Sequence, residues 1–141
     1  MRSYFLESEV LHRHVDYLYQ KGNMYLRCNG NLLFHGCVPL NEDGSFRTIV
    51  YAGKEYRGRS WFDFCEQMAR SAWLHGSQET LDFMYFLWCG RLSPLSGREF
   101  KTFERALIPD ERTWKEPSDP YFRYIDTVSC CEHVLQEFGL D

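Results

Sequence analysis

His35 is the residue of this sequence best placed for metal binding or proton transfer. It ends an apolar, strand-like run at residues 32–34 and precedes Gly-Cys-Val-Pro at 36–39, which breaks the strand pattern. A strand fixes such a side chain while the loop exposes it, and imidazole is the commonest metal ligand. The pattern alone is also compatible with a structural role for His35, in which its side chain is satisfied by hydrogen bonds. The other histidines lie on predicted helices or near their ends: His12, His14, His75 and His133.

Basic side chains in the loop-rich stretches are candidates for binding phosphate, because a guanidinium fork matches phosphate oxygens. We select Lys101 and Arg105 as the candidate substrate-binding residues. The alternative, for each residue taken alone, is a solvated charged surface. The wider set comprises Arg57, Arg59, Arg91, Arg98, Lys101 and Arg105.

The cysteines predict neither a disulfide framework nor a structural zinc site. Six are present, two of them adjacent at 130 and 131, and no Cys-x-x-Cys pair occurs. Scattered thiols without a secretory signal are typical of reduced proteins. We expect Cys37, beside His35, to be a packing residue rather than a nucleophile or ligand.

Periodicity and turn signals predict an α+β fold, with a short antiparallel meander followed by a helical region. Apolar spacing favours a helix at 8–21 that ends before Gly22. Asn29-Gly30 between two short apolar runs indicates a hairpin, and a turn at 41–44 leads to a strand at 46–51. Residues 23–51 are therefore predicted to form a β-meander that carries His35.

The second half of the chain is predicted to be mostly helical. Residues 60–90 have the pattern of a helical hairpin, with Ser60 and Ser77 as N-caps and Gly76 between the helices. The second helix places Leu81, Met84, Tyr85 and Trp88 on one face. Residues 91–128 are loop-rich, with a short helix near 100–107, and 129–139 form a last helix. We treat residues 1–141 as one partial domain.

Composition limits the classes of function. The 141 residues carry 16 basic and 20 acidic side chains, a net charge of −4, so a basic surface for nucleic acid is not expected. Apolar stretches fall far short of the ~20 residues that span a bilayer, and charge near residue 2 argues against a secretory signal. We expect a cytoplasmic protein without membrane contact. Aromatic residues make up 17% of the chain, which requires a core or a partner surface to bury them.

Four stretches, in order, resemble the class 3 fructose-1,6-bisphosphatases, the manganese-dependent bacterial form. The longest is NLLFHGCVPLNEDGSF at 31–46. The others are KGNMY at 21–25, LDFMYFLWCG at 81–90 with SPL at 93–95, and TFER at 102–105. The likeness extends from about residue 8 to residue 139.

The resemblance implies a metallophosphatase related to the calcineurin-like enzymes, in which two metal ions are held at strand ends of a β-sandwich. His35 matches the histidine of that family's His-Gly-x-x-Pro turn, so the resemblance makes it a manganese ligand. The substrate would be fructose 1,6-bisphosphate, hydrolysed to fructose 6-phosphate and phosphate in gluconeogenesis. Two such cations lower the pKa of a bridging water and clamp phosphate oxygens.

The remaining motifs of that superfamily are absent: Gly-Asp-x-His, Gly-Asp-x-x-Asp-Arg-Gly, Gly-Asn-His and Gly-His. They would supply nearly all the metal ligands and the acid that protonates the leaving group. We therefore expect a fragment of a larger phosphatase that is inactive alone, with no catalytic residue assigned here. The alternative is a free-standing assembly module that docks its aromatic surface on the remainder of the phosphatase or on a second copy. A different substrate for the same superfamily stays open.

Overall fold

The computed structural model describes residues 2–140 of the chain. Its architecture is α+β, as predicted, with two antiparallel hairpins among several helices. The strands are β1 (Tyr25–Cys28), β2 (Asn31–Phe34), β3 (Ile49–Tyr51) and β4 (Lys54–Tyr56). The helices are α1 (Arg2–Leu6), α2 (Glu9–Lys21), α3 (Gly58–His75), α4 (Gln78–Cys89), α5 (Thr102–Leu107), α6 (Tyr121–Tyr124) and α7 (Val128–Glu137).

The predicted hairpin at Asn29-Gly30 is confirmed, but the continuous meander over 23–51 is wrong. Strand β1 pairs only with β2. Strand β3 pairs instead with β4, and the sequence did not predict this second hairpin. The second hairpin turns at Ala52 and Gly53, with φ of 48° and 77°. Alanine rarely adopts a positive φ, which is why this turn gave no signal in the sequence.

A tight loop, residues 35–48, separates the two hairpins. The predicted turn at 41–44 is present, with the Gly44 amide donating to the Asn41 carbonyl at 3.0 Å. A single bridge joins Leu40 to Phe46, and Asn41 and Ser45 close the loop between them. The loop is pinned to segments far along the chain instead of continuing the first hairpin as a third strand.

Helices α3 and α4 form the predicted helical hairpin with a different start. Helix α3 begins at Gly58 instead of Ser60, and the Ser60 hydroxyl lies at its third position, where it accepts from the Arg57 amide at 2.9 Å. Gly76 has φ 60° and ends α3, and Ser77 caps α4 by accepting from the Thr80 amide, both as predicted.

The predicted apolar face of α4 is not its buried face. The buried residues of α4 are Thr80, Phe83 and Leu87, whereas Tyr85 and Trp88 are 53% and 61% exposed. Rings occur on several sides of this helix, so periodicity alone did not select the side that meets α3.

Two adjoining clusters form the core, and α3 contributes to both. One cluster surrounds Phe62, with the start of the 35–48 loop, α6 and α7. The other surrounds Trp61, with Cys65, Phe83 and Leu87. No helix within residues 2–140 is long and apolar enough to cross a membrane.

The loop-rich region after α4 contains short helices. Helix α5 confirms the predicted helix near 100–107, and it is followed by a 3₁₀ turn at Glu111–Trp114 and by α6, which had not been predicted. Helix α7 spans nearly the predicted range, and Gly139 follows it at φ 74°.

Candidate functional site

The turn that carries His35 packs against the backbone of residues 93–95. Strand β2 ends at Phe34, and the exposed His35 follows directly. A Cβ atom on Gly36 would overlap the Pro94 carbonyl oxygen and lie 2.6 Å from the Leu95 carbonyl carbon. The next amide, of Cys37, donates to the Pro94 carbonyl at 3.0 Å. Only glycine permits this contact, so the position of His35 depends on the 93–95 segment.

Ser93 fixes that segment to the end of α4. Its buried hydroxyl donates to the Leu87 carbonyl at 2.6 Å and accepts from the Leu95 amide at 3.1 Å. Because Leu87 lies in the core, the support of the His35 turn extends into the α3–α4 hairpin.

Asp119 fixes the same loop at Leu40. Its side chain is 1% exposed, and Oδ1 accepts from the amides of Leu40, at 3.0 Å, and Tyr121, at 2.9 Å. The Asp119 amide donates to the Gly97 carbonyl at 2.8 Å. Burial raises the pKa of this carboxyl, against the opposing effect of the two hydrogen bonds and of nearby arginines. Its other oxygen, Oδ2, has no partner among the described residues.

Sequence reasoning missed Asp119. The available signal was its place before Pro120, since Asp-Pro favours a turn in which the carboxylate accepts an amide two residues on. The Tyr121 hydrogen bond is of that type. The bond to Leu40, 79 residues earlier, has no local signal.

The His35 imidazole has no hydrogen-bond partner among the described residues and faces solvent. This arrangement differs from the alternative of a hydrogen-bonded structural histidine. Within residues 2–140, no three His, Cys, Asp or Glu side chains are grouped so as to hold a metal ion. A two-metal centre therefore does not fit the described residues alone, among which His35 is the candidate ligand.

Cys37 is a packing residue, as predicted. It is fully buried in the core cluster around Phe62, and its Sγ lies 3.8 Å from the Ser93 carbonyl oxygen. Burial strongly raises the pKa of this thiol, which opposes formation of the nucleophilic thiolate. All six cysteines lie within the described residues and are unpaired.

Lys101 and Arg105 lie on or beside α5 and carry ion pairs. Lys101 contacts Glu99 and Glu104, and the hydrogen bond to Glu99 is the main cause of its raised pKa. Arg105 Nη2 lies 3.3 Å from Glu116 Oε2. No hydrogen bond or ion pair of the described residues joins either side chain to the His35 turn.

Exposed apolar side chains lie along α4, just before α5 and on α5, and are here together called the α4–α5 surface. The two elements meet where the Phe100 amide donates to the Cys89 carbonyl at 3.2 Å. Its members are each more than 40% exposed: Leu81, Tyr85, Trp88, Phe100, Phe103 and Leu107.

Comparison with known proteins gives consistent matches. The chain is 46% identical to the fructose-1,6-bisphosphatase class 3 of Clostridium tetani, over 97% of the chain. It is 43% identical to that of Clostridium acetobutylicum, over 100% of the chain, and 41% identical to one from Clostridium beijerinckii, over 99%. The chain spans about 22% of the length of these relatives. No solved structure is significantly similar to it.

The family described as "Firmicute fructose-1,6-bisphosphatase" matches residues 1–141. This match covers the His35 turn together with the Pro94 and Asp119 segments that support it. The chain therefore belongs to the Firmicute fructose-1,6-bisphosphatase family.

Proposed function

We propose that the chain is part of an enzyme that hydrolyses fructose 1,6-bisphosphate to fructose 6-phosphate and phosphate, a cytoplasmic step of gluconeogenesis. The observation that carries this proposal is the family match over the whole chain. Because the chain has only about 22% of the relatives' length, the activity would require segments beyond it.

In this proposal His35 contributes one manganese ligand. An exposed imidazole without a hydrogen-bond partner, on a turn anchored by Pro94 and Asp119, supports the assignment. Such anchoring holds a side chain in one place for a ligand supplied from outside. The other ligands would come from segments beyond this chain. The two hairpins would belong to a calcineurin-like β-sandwich completed by those segments.

Lys101 and Arg105 stay a prediction as substrate-binding residues. Each already pairs with glutamates, and a phosphate group would have to replace those carboxylates. Ion pairs near the protein surface contribute little to stability, so exchange of these carboxylates for a phosphate group is energetically accessible.

The exposed α4–α5 surface favours a second, compatible role, docking on the remainder of the phosphatase. Trp88 is 61% exposed and Leu107 is 76% exposed, and large exposed apolar side chains are typical of interaction surfaces when they lie together. If a second copy covers this surface instead, the isolated chain will run as a dimer on a sizing column, and Trp88→Ser will restore the monomer.

The experiment that tests the enzymatic proposal transplants this chain into the Clostridium tetani relative in place of the matching segment. We expect the hybrid to release phosphate from fructose 1,6-bisphosphate with manganese, and the isolated chain to show no turnover. A relative lacking the segment is the control. Full activity of that control, or turnover by the isolated chain, would contradict the proposal.

A further inference from the structure

An apolar groove lies between α2, α3 and α4, beside the 93–95 segment. Its volume is about 350 Å³, and Leu18, Met84, Leu87 and Leu95 are among the residues that line it. Leu18 is 62% exposed, Met84 and Leu95 are half-buried, and Leu87 is buried at its base. None of these residues belongs to the α4–α5 surface, so the groove is a separate apolar feature.

Two charged side chains line the same groove, and both are satisfied within the chain. Glu66 accepts from the Arg70 guanidinium at 2.8 Å and from the Met24 amide at 3.0 Å. Arg70 also donates to the Gly22 carbonyl at 2.7 Å. Since these groups already have partners, the groove favours an occupant that contributes apolar atoms over a charged metabolite.

The accessible surface of the chain is large enough for a partner to cover this groove as well. The chain exposes 9868 Å², whereas a folded monomer of 16.9 kDa exposes about 7,700 Å². The excess of roughly 2,000 Å² is more than the about 800 Å² that each partner contributes to a standard interface. The α4–α5 surface therefore need not be the whole of the covered area.

The form of the occupant follows from the walls of the groove. Helices supply three of its sides, and the main-chain groups of residues 22 and 24 at its edge are used by Arg70 and Glu66. A strand buried there would leave its own main-chain groups unpaired, whereas a helix pairs them internally. Leucine and methionine walls suit the apolar face of an amphipathic helix.

The relatives indicate where such a helix would come from. The matching segment is about 22% of the length of the Clostridium tetani and Clostridium acetobutylicum relatives. Most of a phosphatase of that length therefore lies outside the matching segment and is available to cover it.

Residues that line the groove also hold the His35 turn. The Leu87 carbonyl accepts from the Ser93 hydroxyl, which in turn accepts from the Leu95 amide. Gly36 packs against the Leu95 carbonyl. A side chain packed on Leu87 and Leu95 would therefore restrain the segment on which the His35 turn packs.

We propose that this groove binds the apolar face of an amphipathic helix from the rest of the phosphatase, and that this contact holds the 93–95 segment and the His35 turn in place. The proposal rests on the proposed function in taking the helix from the phosphatase. It adds a second docking site, which acts on the candidate metal ligand.

The test measures thiol labelling at the groove in the hybrid enzyme carrying Leu18→Cys. Mass spectrometry of the maleimide-labelled peptide separates this thiol from the native cysteines. We expect labelling at least about tenfold slower in the native hybrid than in the urea-unfolded hybrid, because the helix covers position 18. Val128→Cys, on a 74% exposed residue of α7, is the matched control and should label at nearly the same rate in both states.

A second variant tests the link to the metal ligand. Leu18→Glu places a charge where the helix would pack, which is costly when buried. We expect the hybrid with this change to need at least about threefold more manganese for half-maximal phosphate release. Val128→Glu should leave the manganese requirement unchanged. Circular dichroism of each hybrid separates these effects from loss of folding.

Each outcome bears on one part of the proposal. Labelling of Leu18→Cys as fast in the folded hybrid as in the unfolded one would overturn it. Protection that disappears on dilution would assign the groove to a second copy and would also overturn it. An unchanged manganese requirement in Leu18→Glu would remove the link to His35. An inactive hybrid in which Leu18→Cys is protected would refute the proposed function and leave the docking site standing.

Discussion

Replacing Asp119 by alanine tests whether this carboxylate anchors the His35 loop. The change removes the acceptor of the Leu40 and Tyr121 amides, both on residues that are themselves buried. Water cannot easily reach the two stranded donors. Asp119→Asn keeps a carbonyl oxygen at the same place and retains both hydrogen bonds.

The expected loss of stability follows from these contacts. Each stranded buried donor costs about 1–3 kcal/mol, which gives about 2–6 kcal/mol for two. Removing the buried, unpartnered Oδ2 also removes its desolvation cost, which stabilises the folded state by about 1–2 kcal/mol. Taking the middle of each range, we expect the free energy of unfolding to fall by about 2.5 kcal/mol in Asp119→Ala and by less than about 1 kcal/mol in Asp119→Asn, a large difference in a protein of ordinary stability.

Urea unfolding followed by tryptophan fluorescence provides the assay, because Trp61 is 1% exposed in the native state. Asp126→Ala is the matched control, since Asp126 is exposed and makes no side-chain hydrogen bond with a described residue. Equal stabilities of Asp119→Ala and Asp126→Ala would refute the anchoring role. So would an Asp119→Asn variant as unstable as Asp119→Ala.

Three further perturbations give distinct expected outcomes. Gly36→Ala should lower the free energy of unfolding by about 2–3 kcal/mol in urea, because the new Cβ overlaps the Pro94 carbonyl. Ser77→Ala should lower it by about 1 kcal/mol, seen as a melting temperature lower by about 4 °C, because the Thr80 amide loses its cap. Burial raises the pKa of Asp119 above 3.8, so wild-type stability relative to Asp119→Asn should be greatest below that pH. It should fall as pH rises through the folded-state pKa.

Each of these predictions has its own control. Gly53→Ala meets no atom within 4 Å and bears only the strain of φ 77°, so it should cost less than Gly36→Ala; the reverse order would contradict the packing argument. Ser129→Ala, on the exposed side of α7, should not lower the melting temperature. A Ser77→Ala variant as stable as wild type would contradict the capping role of Ser77. A pH-independent difference between wild type and Asp119→Asn would exclude a raised pKa.

Local signals predicted the elements that depend on neighbouring residues. Asn29-Gly30 specified the first hairpin, and Gly76-Ser77 specified the break between α3 and α4. The second hairpin was missed because Ala52 takes a positive φ that its side chain disfavours. There the pairing of Ile49 with Tyr56 and the packing around Trp61 outweigh local preference.

In the candidate site, too, features set by neighbouring residues were predicted, whereas features set by long-range contacts were not. The strand end and the glycine turn made His35 a candidate from sequence, and its role as a metal ligand stays a prediction. Cys37 was correctly assigned to packing. The support from Pro94 and Asp119 joins residues 57 and 79 positions apart, for which neither periodicity nor turn chemistry gives a signal. The prediction of Lys101 and Arg105 relied on residue type and did not consider their pairing with glutamates, although Glu99 and Glu104 are local neighbours of Lys101.

The most direct test of the central proposal is the manganese dependence of the hybrid phosphatase with His35→Ala. If His35 is a metal ligand, phosphate release from fructose 1,6-bisphosphate will fall by at least about tenfold, and half-maximal activity will need more manganese. His133→Ala, an exposed histidine of α7, should leave both quantities unchanged. Unaltered activity and manganese dependence in His35→Ala would contradict the assignment of His35 to the metal site.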